Sequence, residues 1–309
     1  MTGEVLSART AAGIVRFLAG DGAPRIGMLA GDVITVLDVG SLAGLLGLPL
    51  AEIRTICEAP ARETVPATDA KLLAPVDGRT EVWAAGVTYE RSRVARMTES
   101  EESADVYDRV YAADRPELFF KSAAWRVSGP GAPVSVRADS TIDVPEPELA
   151  VVLNADKEVV GYTICNDMSS RSIEGQNPLY LPQAKIYLGG CALGPSVRPA
   201  WEVPDPYALT IELTISRGRE VAWAGNASTS ALHRRIDELA GYLFREDDFP
   251  AGAVLSTGTS LVPDLPFTLQ AGDEVRIAIP GIGELANPVV RGKAAVAAAL
   301  GLTARSVSP

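Results

Sequence analysis

The sequence predicts an α+β protein that is mostly β, with a small N-terminal α/β domain over residues 1–74 and a larger domain over residues 75–309. Three observations predict it. Twenty-eight glycines and 22 prolines punctuate 309 residues, so turns are frequent. Short apolar or alternating runs recur between those turns, as in a curled β architecture. A polar linker, PARETVPATDA, precedes a boundary near Lys71 to Pro75. The hydrophobic fraction of 47% is ample for a core.

The elements follow in order. IVRFLAGDGAPRIGMLAGDVITVLD offers three strands, with turns at Gly20-Asp21-Gly22 and Gly31-Asp32. Ser41 to about Glu58 is helical, with Leu42, Leu45, Leu46, Ile53 and Ile56 as core residues and Pro49 starting a new turn. EVWAAGV is a buried strand. Residues 90–113 are charged, helix-prone and almost free of glycine and proline; they read equally as a lid or oligomer arm and as a solvated surface helix. The runs VSVRA, ELAVVLN, EVVGYTICND, LTIELTISRGREVAWAG, AVLST and EVRIAI are strands. One helix begins near Ser228/Thr229 as N-cap and carries Leu232, Ile236, Leu239 and Leu243. Gly189-Gly190 reads as tight packing, since no G-x-G-x-x-G frame surrounds it.

Composition excludes some classes. A net charge of −11 repels phosphate backbones and argues against nucleic acid. No run approaches the roughly 18 apolar residues of a membrane span. MTGEVLSART lacks a basic-then-apolar leader pattern. Cys57, Cys165 and Cys191 are odd in number and lack metal-ligand spacing, so they read as free thiols in a reducing cytoplasm.

The chemistry centres on Glu146-Pro147-Glu148. Residues two apart in a strand share a face, and proline favours extended backbone. ELAVVLN and EVVGYTI read as a hairpin closing around Ala155 to Glu158. Counting outward from a four-residue loop sets Asp167 opposite Glu146. Three carboxylates then converge and repel one another. Either some are protonated or a cation sits among them, and oxygen ligands suit Mg²⁺, with Mn²⁺ or Ca²⁺ as alternatives. A solvated acidic strand end is the competing reading.

Further motifs carry a resemblance. EVWAAGVTYERS, RPELFFK, PEPELAVVL, GYTICNDMSSRSIEGQNPLYLPQAKIY, STGTSLVP and GIGELANPV, from about Lys71 to about Val290, resemble the fumarylacetoacetate hydrolase superfamily, and most of all its 2-keto-3-deoxy-D-arabinonate dehydratase branch. E-x-E, then D-x-x-x-R, then lysine is specific to the superfamily; GVTY, RPE-FFK and ENPLYLPQ-KIY are specific to the branch, and EGQNPLYLPQAKIY here is a near match to the last. Residues 1–70 resemble its variable small domain. The resemblance implies a mixed β-roll catalytic domain, dimeric or tetrameric. It implies that Glu146, Glu148 and Asp167 bind the divalent ion. Lys185, Arg171 and Thr259 would then line a pocket for a 2-oxo acid. The branch carries alanine and aspartate around the arginine, whereas Ser170-Arg171-Ser172 stands here, which puts substrate choice in question.

One absence separates the subfamilies. Hydrolases of this superfamily often carry a histidine shortly after the tyrosine of their N-Y motif; Ser92 falls there. The one histidine, His233, reads as a surface residue. That fits elimination better than water attack. The expected reaction takes a proton from C3 of a 2-keto-3-deoxy-pentonate through a metal-stabilised enolate, expels the C4 hydroxyl and tautomerises to 2,5-dioxopentanoate. Glu117 and Glu174 are candidates for acid and base, and Lys185 for base or for holding negative charge. Phe119, Phe120 and Lys121 are candidates for a pocket wall. Thr88, Tyr89 and Gly86 lie just beyond a strand end, where site loops sit. Gly258 permits close backbone approach, and Thr259 is a donor for the substrate carboxylate. Acylpyruvate hydrolase, oxaloacetate decarboxylase and a non-catalytic scaffold are the alternatives.

Overall fold

The computed structural model describes residues 13–20, 22–91 and 104–300. Five strands come first: β1 (Gly13–Ala19), β2 (Pro24–Ala30), β3 (Val33–Val36), β4 (Thr64–Pro66) and β5 (Ala70–Leu73). They pair antiparallel in the order β4-β3-β2-β1, with β5 also on β1. Between β3 and β4 lie helices Leu42–Leu46 and Leu50–Cys57. Ser41 caps the first through Gly44 N–H. Pro49 begins the second, as the sequence predicts.

The remaining strands are β6 (Glu81–Gly86), β7 (Glu117–Ala123), β8 (Val134–Val136), β9 (Asp143–Val144), β10 (Pro147–Leu153), β11 (Val159–Asp167), β12 (Ser169–Ser170), β13 (Cys191–Pro199), β14 (Thr210–Arg217), β15 (Glu220–Ser228), β16 (Ala253–Ser256), β17 (Asp273–Ile279) and β18 (Gly283–Arg291). β1 bonds to β13, and the sheet continues through β11, β10, β16 and β6 to β7. A second sheet runs β15-β14-β17-β18-β8. The pairs β16–β6 and β18–β8 are parallel, so both sheets are mixed. The strand-rich α+β class and the mixed β-roll stand as expected.

Pleating divides the central sheet between two cores. Leu149, Val151, Leu153 and Ile164 pack with Leu213, Ile277 and Leu285 of the second sheet. Ala150, Val152 and Val254, on the opposite face, pack with Leu42, Leu46 and Ile53 of the N-terminal helices. Residues 13–66 thus share a sheet and a core with the larger part. Each fully buried Leu, Ile or Val stabilises by about 1.5–3 kcal/mol.

The hairpin β10–β11 reaches the expected register by a different route. Asn154 N–H bonds to Glu158 O at 3.0 Å, so the loop has three residues, with Lys157 at φ 64°. A bulge then adds one residue to β11: Leu153 pairs with Val159 but Val152 with Gly161. The two offsets cancel, and Pro147 faces Asn166.

One expected helix starts later. Thr229–Ala231 is a 3-10 turn capped by Ser228, and the α-helix is Ile236–Leu243. Residues 232–234 stay out of the helix because they bond to other segments, described below. Strand β13 escaped the sequence reading, since Gly194-Pro195 and Pro199 read as turn signals. Helix Ala104–Ala112 falls in the helix-prone stretch; Ser92 and the rest of 92–103 lie outside the described residues. No helix among the described residues is long and apolar enough to cross a membrane.

Candidate active site

One face of the central sheet forms the floor of the site. Glu148 pairs with Cys165, Ala150 with Ser256, Ser256 with Ala84, Ala84 with Phe119 and Gly86 with Glu117. Cross-strand partners share a face, and so do residues two apart. Glu148, Ser256, Gly86, Glu117 and Phe119 therefore project together. Glu146 O accepts from Asp167 N–H at 2.9 Å, which brings that pair to the same end. Two short helices, Arg171–Glu174 and Leu181–Lys185, supply Arg171, Glu174, Leu181 and Lys185. The cleft between them holds about 410 Å³ of empty space, its mouth included.

Buried charges are paired around this floor. Lys185 Nζ donates to Glu146 Oε2 at 2.7 Å and to Asp167 Oδ2 at 3.3 Å. Arg171 lies 3.0 Å from Glu146 Oε1. Lys121 Nζ stands 2.5 Å from Asp167 Oδ1 and donates to Met168 O at 3.0 Å and Lys185 O at 2.5 Å. Ser169 Oγ donates to Glu174 Oε2 at 3.2 Å. Three cations thus accompany the carboxylates, a third answer to the repulsion besides protonation or a metal alone.

The donor set still fits a divalent ion. Glu146, Glu148 and Asp167 are buried, and one carboxylate oxygen from each lies within 4.8 Å of the others. Asp167 Oδ1 has its ion pair with Lys121 but no aligned hydrogen bond. Glu148 has no cationic partner among the described residues; Ser256 Oγ at 2.5 Å and Gly258 N–H at 2.8 Å hold its Oε2. Burial, then the Asp167 charge, pushes the Glu148 carboxyl well above the usual carboxylate range. An all-oxygen group in which one buried carboxylate, Glu148, lacks a cationic partner among the described residues suits a hard cation.

Two backbone conformations shape the walls. Gly258 sits at φ +92°, and a Cβ there would collide with Thr88 Oγ1. Val87 sits at φ 52°, an outlier for a β-branched residue, and lines the cleft. A Cβ at Gly86 would collide with the Glu117 carboxylate, so that glycine makes room for Glu117.

The model of the fumarylacetoacetate (FAA) hydrolase C-terminal family matches residues 81–290. The chain belongs to this family. Among curated relatives, it is 53% identical over 215 residues to the Haloferax volcanii "Probable 2-keto-3-deoxyxylonate dehydratase", covering 70% of this chain and 73% of that one. It is 43% identical over 227 residues to the 2-dehydro-3-deoxy-D-arabinonate dehydratase of Saccharolobus solfataricus, covering 72% and 75%. A solved structure of 2-keto-3-deoxy-D-arabinonate dehydratase complexed with magnesium and 2,5-dioxopentanoate matches at TM-score 0.79 and 34% identity, over 91% of this chain and 99% of that one.

Against this family background, the cleft brings together Glu117, Glu146, Glu148, Asp167, Arg171, Glu174, Lys185, Gly258 and Thr259. Four expected substrate contacts lie elsewhere. Thr88 is buried and donates to Thr257 O at 2.6 Å, while buried Tyr89 bridges to Leu232. The chain turns at Val87, so Gly86 and Val87 face the cleft and the next two residues do not. Phe120 points to the opposite face and packs edge-on against Trp83 at 5.9 Å; alternation gives the wall to Phe119. Lys121 lies behind the carboxylates. Thr259 lines the cleft, but its hydroxyl already faces Pro147 O at 3.0 Å and Leu261 O at 3.2 Å.

The residues missed by sequence were Ala85, Val87, Leu181 and Ser256. Only Ser256 carried a signal, standing two residues before Gly258 on the face of Glu148. The serines flanking Arg171 have a role here: Ser170 Oγ donates to Ser140 Oγ at 2.8 Å, and Ser172 lies 2.9 Å from the same atom. That hydroxyl cluster ties the start of the Arg171 helix to the loop before β9.

Proposed function

We propose that this protein is a Mg²⁺-dependent hydro-lyase that converts a 2-keto-3-deoxy-pentonate, such as 2-keto-3-deoxy-D-arabinonate, to 2,5-dioxopentanoate and water. The observation that carries the reading is one cleft uniting Glu146, Glu148 and Asp167 with Lys185, Arg171, Glu117 and Glu174. His233, the single histidine, is exposed and stacked on Tyr111. The similar proteins named dehydratases support the same reaction.

Glu146, Glu148 and Asp167 would hold the Mg²⁺ (or Mn²⁺ or Ca²⁺), which supplies Lewis-acid polarisation of a 2-oxo group. Lys185 and Arg171 bring positive charge to the same end of the cleft and suit the substrate carboxylate and the enolate oxygen. Lys185 Nζ donates to both Glu146 and Asp167, so we assign it charge stabilisation. Glu117, from the sheet, and Glu174, from the helix, carry the proton transfers: one takes the C3 proton and the other protonates the departing C4 hydroxyl. Tautomerisation then leaves the aldehyde at C5. Phe119, Val87 and Leu181 exclude water from this end.

Homodimers or homotetramers and a cytoplasmic location belong to the same proposal. Trp125, 68% exposed, and Leu179, 83% exposed, suit burial against a second copy. Purified protein with 2-keto-3-deoxy-D-arabinonate and Mg²⁺ should release 2,5-dioxopentanoate, followed by proton NMR. Cleavage of fumarylpyruvate without dehydration would replace this reading by a hydrolase; no turnover of either, with no Mg²⁺ effect on melting, would leave a scaffold.

A further inference from the structure

The chain leaves the cleft at the end of β6 and returns to it at the start of β7, and both stems of the intervening insertion are held by Leu232-His233-Arg234. On the outgoing stem Tyr89 bridges to Leu232, and His233 N–H donates to Thr88 O at 2.9 Å. On the returning stem the His233 ring stacks on Tyr111, with centroids 4.3 Å apart and an interplanar angle of 20°. Arg234, only 7% exposed, donates to Val110 O at 3.2 Å, Asp114 O at 3.3 Å and Ala113 O, and pairs with Glu238 at 2.7 Å.

Those carbonyls close the helix Ala104–Ala112. A helix C-terminus exposes unpaired carbonyls and partial negative charge, and a guanidinium answers both. Arg115 adds a tie, lying 5.4 Å over the Tyr242 ring. Pro116 is buried, and the next residue is Glu117, whose carboxylate lies over Gly86 in the cleft. The clamp therefore ends three residues before a group assigned to proton transfer.

We propose that Arg234 is a positioning residue for Glu117: by capping the insertion helix it fixes the entry of β7 and so the place of the Glu117 carboxylate. This rests on the dehydratase reading. Arg234→Gln should lower kcat on the order of 10²-fold, the scale of an ångström-sized misplacement, with Mg²⁺ affinity by calorimetry unchanged. Arg234→Lys should recover part of the rate, since it keeps charge but not the fork of donors. In a Glu117→Gln background Arg234→Gln should cost little more, because the group it positions is already gone. The full loss repeated in that background, an unchanged kcat, or a parallel loss of Mg²⁺ affinity would overturn the proposal. The single histidine gives a readout free of activity. In untagged protein the His233 ring resonances carry the ring current of Tyr111, and Arg234→Gln should shift or broaden them; identical resonances would also overturn it. If wild type dehydrates no 2-keto-3-deoxy acid, the dehydratase reading fails, and the histidine signal still tests the clamp.

Discussion

Lys121 reaches from β7 to Asp167 at the end of β11, Nζ to Oδ1 at 2.5 Å, and the same ammonium holds Lys185 O. One buried cation thus ties a proposed metal ligand to the backbone of the proposed catalytic lysine. Lys121→Met should weaken Mg²⁺ binding about 10–100-fold, as loss of a ligand's partner does. Breaking the buried pair should also destabilise by about 3–5 kcal/mol. Calorimetric titration and denaturant unfolding check the two effects separately; unchanged Mg²⁺ affinity would refute the first.

Gly258 should resist substitution for two reasons. Its φ of +92° disfavours any side chain, and a Cβ would strike Thr88. Its N–H also holds Glu148. Gly258→Ala should cost about 1–3 kcal/mol in backbone strain and lower Mg²⁺ affinity besides. A variant with wild-type melting and Mg²⁺ binding would show that the turn is not constrained.

Phe119 and Phe120 should separate cleanly. Phe119→Ala opens the cleft and should reduce kcat/KM about tenfold or more with little change in stability. Phe120→Ala removes packing against Trp83 and should cost up to about 3 kcal/mol while leaving kcat/KM nearly intact. Steady-state kinetics and thermal melting on both variants decide; the reverse pattern would exchange the two faces.

Without metal, stability should depend on Glu148. Its carboxyl is raised in the folded state by burial and the Asp167 charge, above an ordinary value of 4.5. The protonated form therefore stabilises the fold. That contribution is complete below the unfolded value and is lost as pH rises through the folded one. In EDTA, wild-type Tm should fall with rising pH relative to Glu148→Gln. Mg²⁺ needs the ionised carboxylate, so its affinity should rise over the same range. Parallel Tm curves for the two proteins would contradict the assignment.

Much of the floor was legible. Pro147 between two glutamates holds the chain extended, and a period of two then assigns both carboxylates to one face. Asp167 followed from counting across a hairpin, although a shorter loop and a bulge arrived together and cancelled. The walls were not legible. Nothing in GVTY tells that Val87 adopts a left-handed backbone and turns Thr88 and Tyr89 inward. Nothing in PELFFK tells which phenylalanine faces the cleft, since that depends on pairing with β6. The insertion's anchor was hidden for a similar reason: Leu232, Ile236 and Leu239 have helical spacing, but residues 232–234 bond to two distant stems instead.

By itself the sequence determined the strand-rich class, the family and the carboxylates that meet, because these follow from local periodicity and from motifs with fixed spacing. Tertiary structure decided the rest. It set Lys121 behind Asp167 rather than in the pocket, engaged the Thr259 hydroxyl internally, and made Arg234 the cap of a helix more than a hundred residues earlier in the chain. Those outcomes depend on which segments the folded sheet brings within hydrogen-bond reach, and a buried cation takes whichever carbonyls and carboxylates it meets there.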